Sequence, residues 1–505
     1  MPDNPGFGFD ALISEGAIWS KFDEFKRAFV DALIEDSEIE GADDFYSVGA
    51  QPNLWHQVHM NAKFVVSGNP FSLEPVVGKL YDGFRDLQTA MGEFRGLDTE
   101  LQGWSTRAAG QFRTGYYDKF ERVNLNQLVV TSELAGLVGG YRQIMAAGRK
   151  DFDAILDSAI AACRGYRKES GGSSAWSTGF KVAGIVATVA GTVAAVFGTA
   201  GLAAPEAVGG GIAIVGGLAS LGSSATESSG GSTTRTFGSP FEILSQFNSV
   251  SDSLCERMVT EADRLLAVLT SDVDEVGDGS ALVVPRPDVA TLNANQYLTE
   301  FPFYGDSNDQ TVDLLELWMA GTRRLPIVAA TYGEAGSRLP YSGSSLTAGL
   351  SDAEFIGAGA VAYLDHLLDV LVHRIGQTRD DLVDVGGILV DIAWAYAETD
   401  QDSAAGLQAL IDDERQRGNL DDVPTQVPDV ADVPISPLPA TAPESGQAPG
   451  SYNPVMPDTV VPMGDGTSII VESPPADDPV WTTDDEYDPD GPHGGYTQPP
   501  PRDGG

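Results

Sequence analysis

Residues 361–400 read VAYLDHLLDVLVHRIGQTRDDLVDVGGILVDIAWAYAETD. Val361, Leu364, Leu368, Leu371, Ile375, Thr378, Leu382, Val385, Leu389, Ile392 and Tyr396 follow one another at alternating steps of three and four residues. That spacing is a heptad seam, the signature of one long helix laid against a partner helix. The seam dissolves at Gln401-Asp-Ser-Ala-Ala and then into acidic, proline-rich chain. Tyr396 and Asp400, four residues apart, share a helix face at that point. They are expected to stand at the free end of a rod, where a partner can read them.

A second rod lies upstream. Leu73, Val77, Leu80, Phe84, Leu87, Met91, Phe94 and Leu101 repeat at helical spacing, and Gly-Trp-Ser-Thr at 103–106 interrupts them. Ala108, Ala109, Phe112 and Tyr116 restart the pattern, which continues through Val123, Val130, Leu134, Leu137, Tyr141, Ile144, Ile155 and Tyr166. This predicts an antiparallel helical hairpin with Trp104 at its bend. Ser105 and Thr106 are suited to cap the second helix, since their hydroxyls can accept from its orphan amides.

The segment Trp104-Ser-Thr-Arg-Ala108-Ala109-Gly-Gln-Phe112 resembles the W-x-G-x-A-A-x-x-F turn of the WxG-type substrates of actinobacterial type VII (ESX) secretion and their larger Esp-type and PE/PPE relatives. Thr106 departs from that pattern, standing where the family has glycine. Glycine would supply an unusual backbone angle cheaply, so the bend is either shaped differently or capped by the threonine. Tyr396-xxx-Asp400 is similar to the family's C-terminal Y-x-x-x-D/E signal. The resemblance covers roughly residues 70–170 and 350–405. It implies a composite export signal, Trp104, Thr106, Tyr396 and Asp400, read by a type VII secretion ATPase, with a WxG-type partner or a second copy as companion. Tyr117-xxx-Glu121 fits the same pattern but falls in mid-helix. Without the resemblance, a tryptophan at a bend is a core plug and a tyrosine on a seam is packing.

Composition bounds the alternatives. The formal charge of −43, from 30 basic and 73 acidic residues, argues against nucleic acid, whose phosphates call for a basic surface. It favours solubility and discourages casual association. Two cysteines, Cys163 and Cys255, cannot make a disulfide framework or a thiolate metal site. They are expected either as one disulfide across a returning hairpin or as two small buried apolar side chains. The opening residues Met-Pro-Asp-Asn-Pro-Gly-Phe-Gly lack the basic and apolar regions of a cleaved signal peptide, consistent with export by another route to the medium or the cell envelope.

The central stretch is a second landmark. Val182–Ala204 carries no charged side chain, and a further glycine-rich apolar run spans Ala207–Leu221 beyond Pro205-Glu206. Gly184, Gly191 and Gly198 recur at heptad spacing and would let two helix backbones approach closely in lipid or between copies. The first run has the length of a membrane span, yet its Ala, Gly, Val and Thr contribute little insertion energy. Membrane insertion, a sheltered or oligomer-forming hairpin, and a flexible linker are the three readings. Ser-Gly-Gly-Ser-Ser at 170–174 and Ser-Ser-Gly-Gly-Ser-Thr-Thr at 228–234 predict flexible hinges at its ends.

No catalytic constellation emerges. His56 and His59 lack a third metal ligand, His366 and His373 lie on one helix face beside Asp365 and Asp369, and the glycine-rich runs lack the Lys-Ser/Thr of a phosphate loop. The expectation is a non-enzymatic protein without cofactor. Its fold is all-α: an elongated helical bundle built on a WxG-like hairpin and a second long helix, with a Gly/Ala-rich apolar hairpin and a disordered tail. The segments are an N-terminal helical extension (1–70), the hairpin (71–170), the apolar insert (171–235), helices and irregular connections (236–350), the long helix ending in YxxxD (351–415) and an acidic, proline-rich tail (416–505). A helix after Val312 is expected to end or kink at Pro326.

Overall fold

The computed structural model describes residues 12–37, 52–101, 112–166, 173–177, 232–237, 239–277, 279–282, 314–340, 349–356, 358–398, 401–424, 426–430, 435–436, 459–462 and 468–471. The chain is all-α. Its helices are α1 (Glu15–Ser37), α2 (Pro52–Val66), α3 (Pro70–Glu100), α4 (Asp118–Gly165), α5 (Pro240–Val276), α6 (Leu325–Arg338), α7 (Ala358–Glu398) and α8 (Gln401–Gln416), with a further helical turn at 314–319. Two short antiparallel ribbons accompany them: β1 (Ser173–Ser177) pairs with β2 (Ser232–Thr236), and β3 (Thr459–Pro462) with β4 (Ser468–Val471). Two compact units divide the chain, Met1–Asn453 and Pro454–Gly505, and β3–β4 belongs to the second.

The axis of the first unit is α4. Its 48 residues rise through ~72 Å at about 1.5 Å each. Every residue from Asn126 to Arg142 is buried, so this stretch is enclosed on all sides rather than along one stripe. The N-terminal half of α4 packs with α3, α6 and α7, and the C-terminal half with α1, α2 and α5. Side chains fix the registers. Asp86 pairs with Arg338 at 3.1 Å and Glu93 with Arg324 at 3.0 Å, so α3 and α6 run antiparallel. Gln127 donates to Thr378 at 3.0 Å and to the Leu282 carbonyl at 2.7 Å, pinning α4 to α7. Asn124 joins the Tyr332 hydroxyl at 2.6 Å and the Leu87 carbonyl at 3.1 Å. These buried amides orient helices that apolar contacts alone would let slide.

The heptad residues behave as their spacing predicts. Val361, Leu364, Leu368, Leu371, Ile375, Thr378, Leu382, Val385 and Leu389 are buried, as are Leu73 through Leu101 on the first rod. A separate aromatic cluster welds α1, α2 and α5: Trp55 meets Phe25 and Phe29 edge-on at 5.5 and 5.3 Å, and Phe247 meets Phe25 at 5.0 Å.

Three connections differ from expectation. Pro326 does not end its helix. A π-turn, Ala320–Arg324, precedes α6 and puts the proline in the first turn, where its missing amide is not needed. Of the two segments expected as hinges, residues 173–174 and 232–234 belong to the β1–β2 ribbon, with Ser177 opposite Ser232, and 170–172 and 228–231 lie outside the described residues. The tail boundary also moves: residues 417–424, 426–430 and 435–436 are seated on the bundle.

The cysteines are free and buried. A Cβ at Gly148 would meet the Met258 sulfur, and Phe152 packs on Phe247, so α4 and α5 run antiparallel with Cys255 near the level of residue 148. Cys163 therefore lies about fifteen residues, or roughly 22 Å, further along, far beyond disulfide reach. Burial raises the Cys163 thiol to about 12 and the Cys255 thiol well above its usual value. Neither thiol is expected to react with an alkylating reagent at pH 8 in the folded protein, and both should react in denaturant. Mass spectrometry before and after unfolding reads this directly.

Between α2 and α3 the chain turns through Gly68, whose φ of +75° and proximity to Ala353 and Met145 admit no side chain. The buried Arg149 closes this corner, donating to the Val66 carbonyl at 2.6 Å and the Gly68 carbonyl at 2.9 Å. It thus satisfies the orphan acceptors at the end of α2. Arg149→Met is expected to cost ~2–3 kcal/mol, because the stem's volume stays while the buried Val66 carbonyl and the part-buried Gly68 carbonyl lose their donor. Urea denaturation measures it.

Candidate functional site

The hairpin bend and the α7 end were the sequence's two landmarks. Trp104 and Thr106 lie outside the described residues, as do Asp400 and the glycines Gly184, Gly191 and Gly198. What is described is the frame around them. Leu101 and Phe112 stand on either side of the bend, both buried. Arg113 joins the two strands of chain, donating to the Leu101 carbonyl at 3.0 Å with Asp98 4.0 Å away. Phe94 stacks on Phe120 and Tyr117, with centroids 3.8 and 4.9 Å apart. A π-turn, Arg113–Tyr117, opens the start of the second helix.

Tyr117 and Glu121, expected in mid-helix, stand instead at the start of the second helix, and both are engaged in this packing. Glu121 accepts from Arg95 at 3.0 Å. The Tyr117 hydroxyl is raised to about 12, first by burial and then by the charge of Glu121 and Asp98.

Tyr396 reaches the same end of the bundle. Gly321 lies against Gly386 and Gly336 against Ile375, so α6 and α7 run antiparallel. Since α3 is also antiparallel to α6, α3 and α7 run parallel, with Glu93 and Gly386 at similar heights beside Arg324 and Gly321. Continuing both helices brings Leu101 and Tyr396 to one end. α4 runs antiparallel to α3, with Phe120 against Phe94 and Arg142 against Glu74, so its Phe112 end lies at that same end. Tyr396 is half-buried, packed on a core that includes Ala393 and Ala397.

The expected free rod tip is corrected. Only residues 399 and 400 separate α7 from α8, whose Leu407 and Ile411 are buried in the common core. By Asp422 the chain has returned to Arg323, which forks onto that carboxylate at 3.0 and 2.7 Å. Tyr396 thus sits at a corner between two helices. The apolar face of α8 was short and followed by charge, which hid it from periodicity.

The hairpin's apolar faces are covered within the chain. Helices α3 and α4 pack with α6 and α7, so a second pair of helices is supplied in cis.

Other sequence candidates resolve into packing. His59 lies over Trp19 at 5.1 Å and is lowered by burial, then by Lys26 and His56. His366 Nδ1 meets the Ser436 carbonyl at 2.5 Å, and His373 meets Gln377 at 3.1 Å. Asp252 accepts from Gln57 and Asn61, each at 2.7 Å, and is raised by burial, with the two amides opposing. Among the described residues, no three His, Cys, Asp or Glu side chains gather as a metal site, and no helix is long and apolar enough to cross a membrane. Residues the sequence reading passed over are Arg323 and Arg379, which hold the segment after α8. Their signal was the scarcity of basic residues in so acidic a chain. Comparison with protein-family models, curated proteins and solved structures finds no match for this chain.

Proposed function

We propose that this protein is a non-enzymatic substrate of a type VII secretion system, delivered to the medium or the cell envelope. Trp104, Thr106, Tyr396 and Asp400 form its composite signal for the secretion ATPase. The observation that supports this reading is the convergence of Leu101, Phe112 and Tyr396 on one end of the bundle. A reader at that end would meet the hairpin bend and the α7 corner together. The cis packing of α3 and α4 on α6 and α7 favours export of the chain with its own helical partner rather than a separate WxG-type one. The test is Trp104→Ala, followed in culture filtrate and cell pellet of strains with and without the ATPase. The variant should drop at least tenfold in the filtrate and accumulate in the pellet. Equal export of variant and wild type, or export without the ATPase, would refute the reading.

A second reading has its own support. The β1–β2 pairing clasps the two ends of residues 178–231 together at Ser177 and Ser232, as a self-contained insert requires. In this reading the glycine-striped stretch enters a membrane or joins copies. Flotation with liposomes is expected for the full chain and lost when residues 178–231 are replaced by a Gly-Gly link. A full chain that stays in the aqueous phase at neutral and acidic pH would end it.

A further inference from the structure

Beyond α8 an extended segment crosses the outer face of α6 and α7, and its seat is built from residues that would otherwise be poor choices. Gly333 and Gly336 lie inside α6 and Gly376 inside α7, where glycine is disfavoured relative to alanine. All three face this segment. A Cβ at Gly333 would stand 2.3 Å from the Pro428 carbonyl oxygen, one at Gly336 2.7 Å from both methyls of Val430, and one at Gly376 3.5 Å from the Val430 Cβ. The glycines make a floor on which an extended backbone and one valine can lie.

Polar groups hold the segment along its length. Arg323 forks onto Asp422, and Arg379 donates to the Pro428 carbonyl at 2.9 Å and to Asp429 at 2.8 Å. Ser436 donates to Asp369 at 2.5 Å. The attachments are shallow. The Asp429 side chain is 95 % exposed and Ile435 is 39 % exposed. Ion pairs at such a surface contribute little, so release does not require unfolding the bundle.

We infer that the glycine-floored face of α6 and α7 is a docking groove for an extended acidic Val-Pro segment. Residues 422–424, 426–430 and 435–436 occupy it in cis as an exchangeable occupant, and the same segment of a second copy fills it when the cis segment is released. The match of Asp422, Asp429 and Val430 to Arg323, Arg379 and the glycine floor is carried by every copy of the chain. Tethering gives the cis segment an effective concentration on the order of millimolar, so a second copy's segment competes only once the cis contact is weakened.

The test uses the full chain carrying Val430→Asp, which spoils the occupant and leaves the groove intact. A fluorescein-labelled peptide of residues 420–437, standing for the second copy's segment, is titrated against it by anisotropy. Binding at least tenfold tighter than to wild type is expected, with loss of that binding on adding Gly333→Leu. No binding by a Val430→Asp chain of wild-type helicity overturns the inference, as does equal binding of a scrambled peptide. Should Val430→Asp lose helicity, the full chain with Asp422→Asn and Asp429→Asn decides. Limited proteolysis should then cut within 417–436 at least tenfold faster than in wild type, and an unchanged rate overturns the exchange.

Discussion

Tyr396→Ala is expected to lower the protein in culture filtrate by at least tenfold while far-UV helicity stays at the wild-type level. The ring is half-buried at the corner between α7 and α8, packed beside Ala393 and Ala397. Truncation there removes part of an aromatic contact, a loss of ~1–2 kcal/mol that a bundle of this size can absorb. A partner that grips the exposed part of the ring loses its anchor altogether. Tyr396→Phe should export nearly as wild type if the ring is what is read. The contrasting variant is Tyr117→Ala, which breaks the stack on Phe94. It should lower the melting temperature but leave export of the folded protein unchanged. Full secretion of Tyr396→Ala would remove the signal assignment.

The largest stability effect is expected from Gly321→Val. A Cβ at Gly321 would stand 2.4 Å from the Gly386 carbonyl oxygen and 2.9 Å from Val390 Cγ2. Its nearest obstacle is backbone, which cannot rotate aside as a side chain can. The crossing of the π-turn over α7 must widen, and the expected cost is ~3 kcal/mol or more. Gly387→Ala, one residue along α7 from the crossing, meets nothing within 4 Å. It should be neutral or stabilising by up to ~1 kcal/mol through helix propensity. Paired denaturation curves give both values. If Gly321→Val melts with wild type, the crossing is not as tight as described, and the shared end of α3 and α7 loses its basis.

Much of the helical frame was written in spacing. The seam from Val361 to Leu389 and the rod from Leu73 to Leu101 are buried along the positions their period marks, because a helix keeps its apolar stripe wherever it packs. Pro326, expected to end or kink its helix, does not end it, for a physical reason. Proline stops a helix only where its amide or the preceding turn is needed, and the π-turn before it removes that need. The tail misled for another. Composition reads average burial, whereas Asp422, Pro428 and Val430 are held by a few particular partners, Arg323, Arg379 and three glycines, scattered more than forty residues upstream or along other helices.

For the candidate site, sequence alone marked a break in period at residues 103–106 and the last position of a seam at Tyr396, since both are local properties of period and interruption. It could not say that Leu101, Phe112 and Tyr396 lie at one end of the bundle. That was decided by the antiparallel registers of α3 with α6 and α6 with α7, fixed by pairs such as Glu93 with Arg324 and Gly321 with Gly386 that no local pattern announces. Tertiary structure likewise turned the expected rod tip into a corner, because the apolar face of α8 finds its partner only after the chain has folded back.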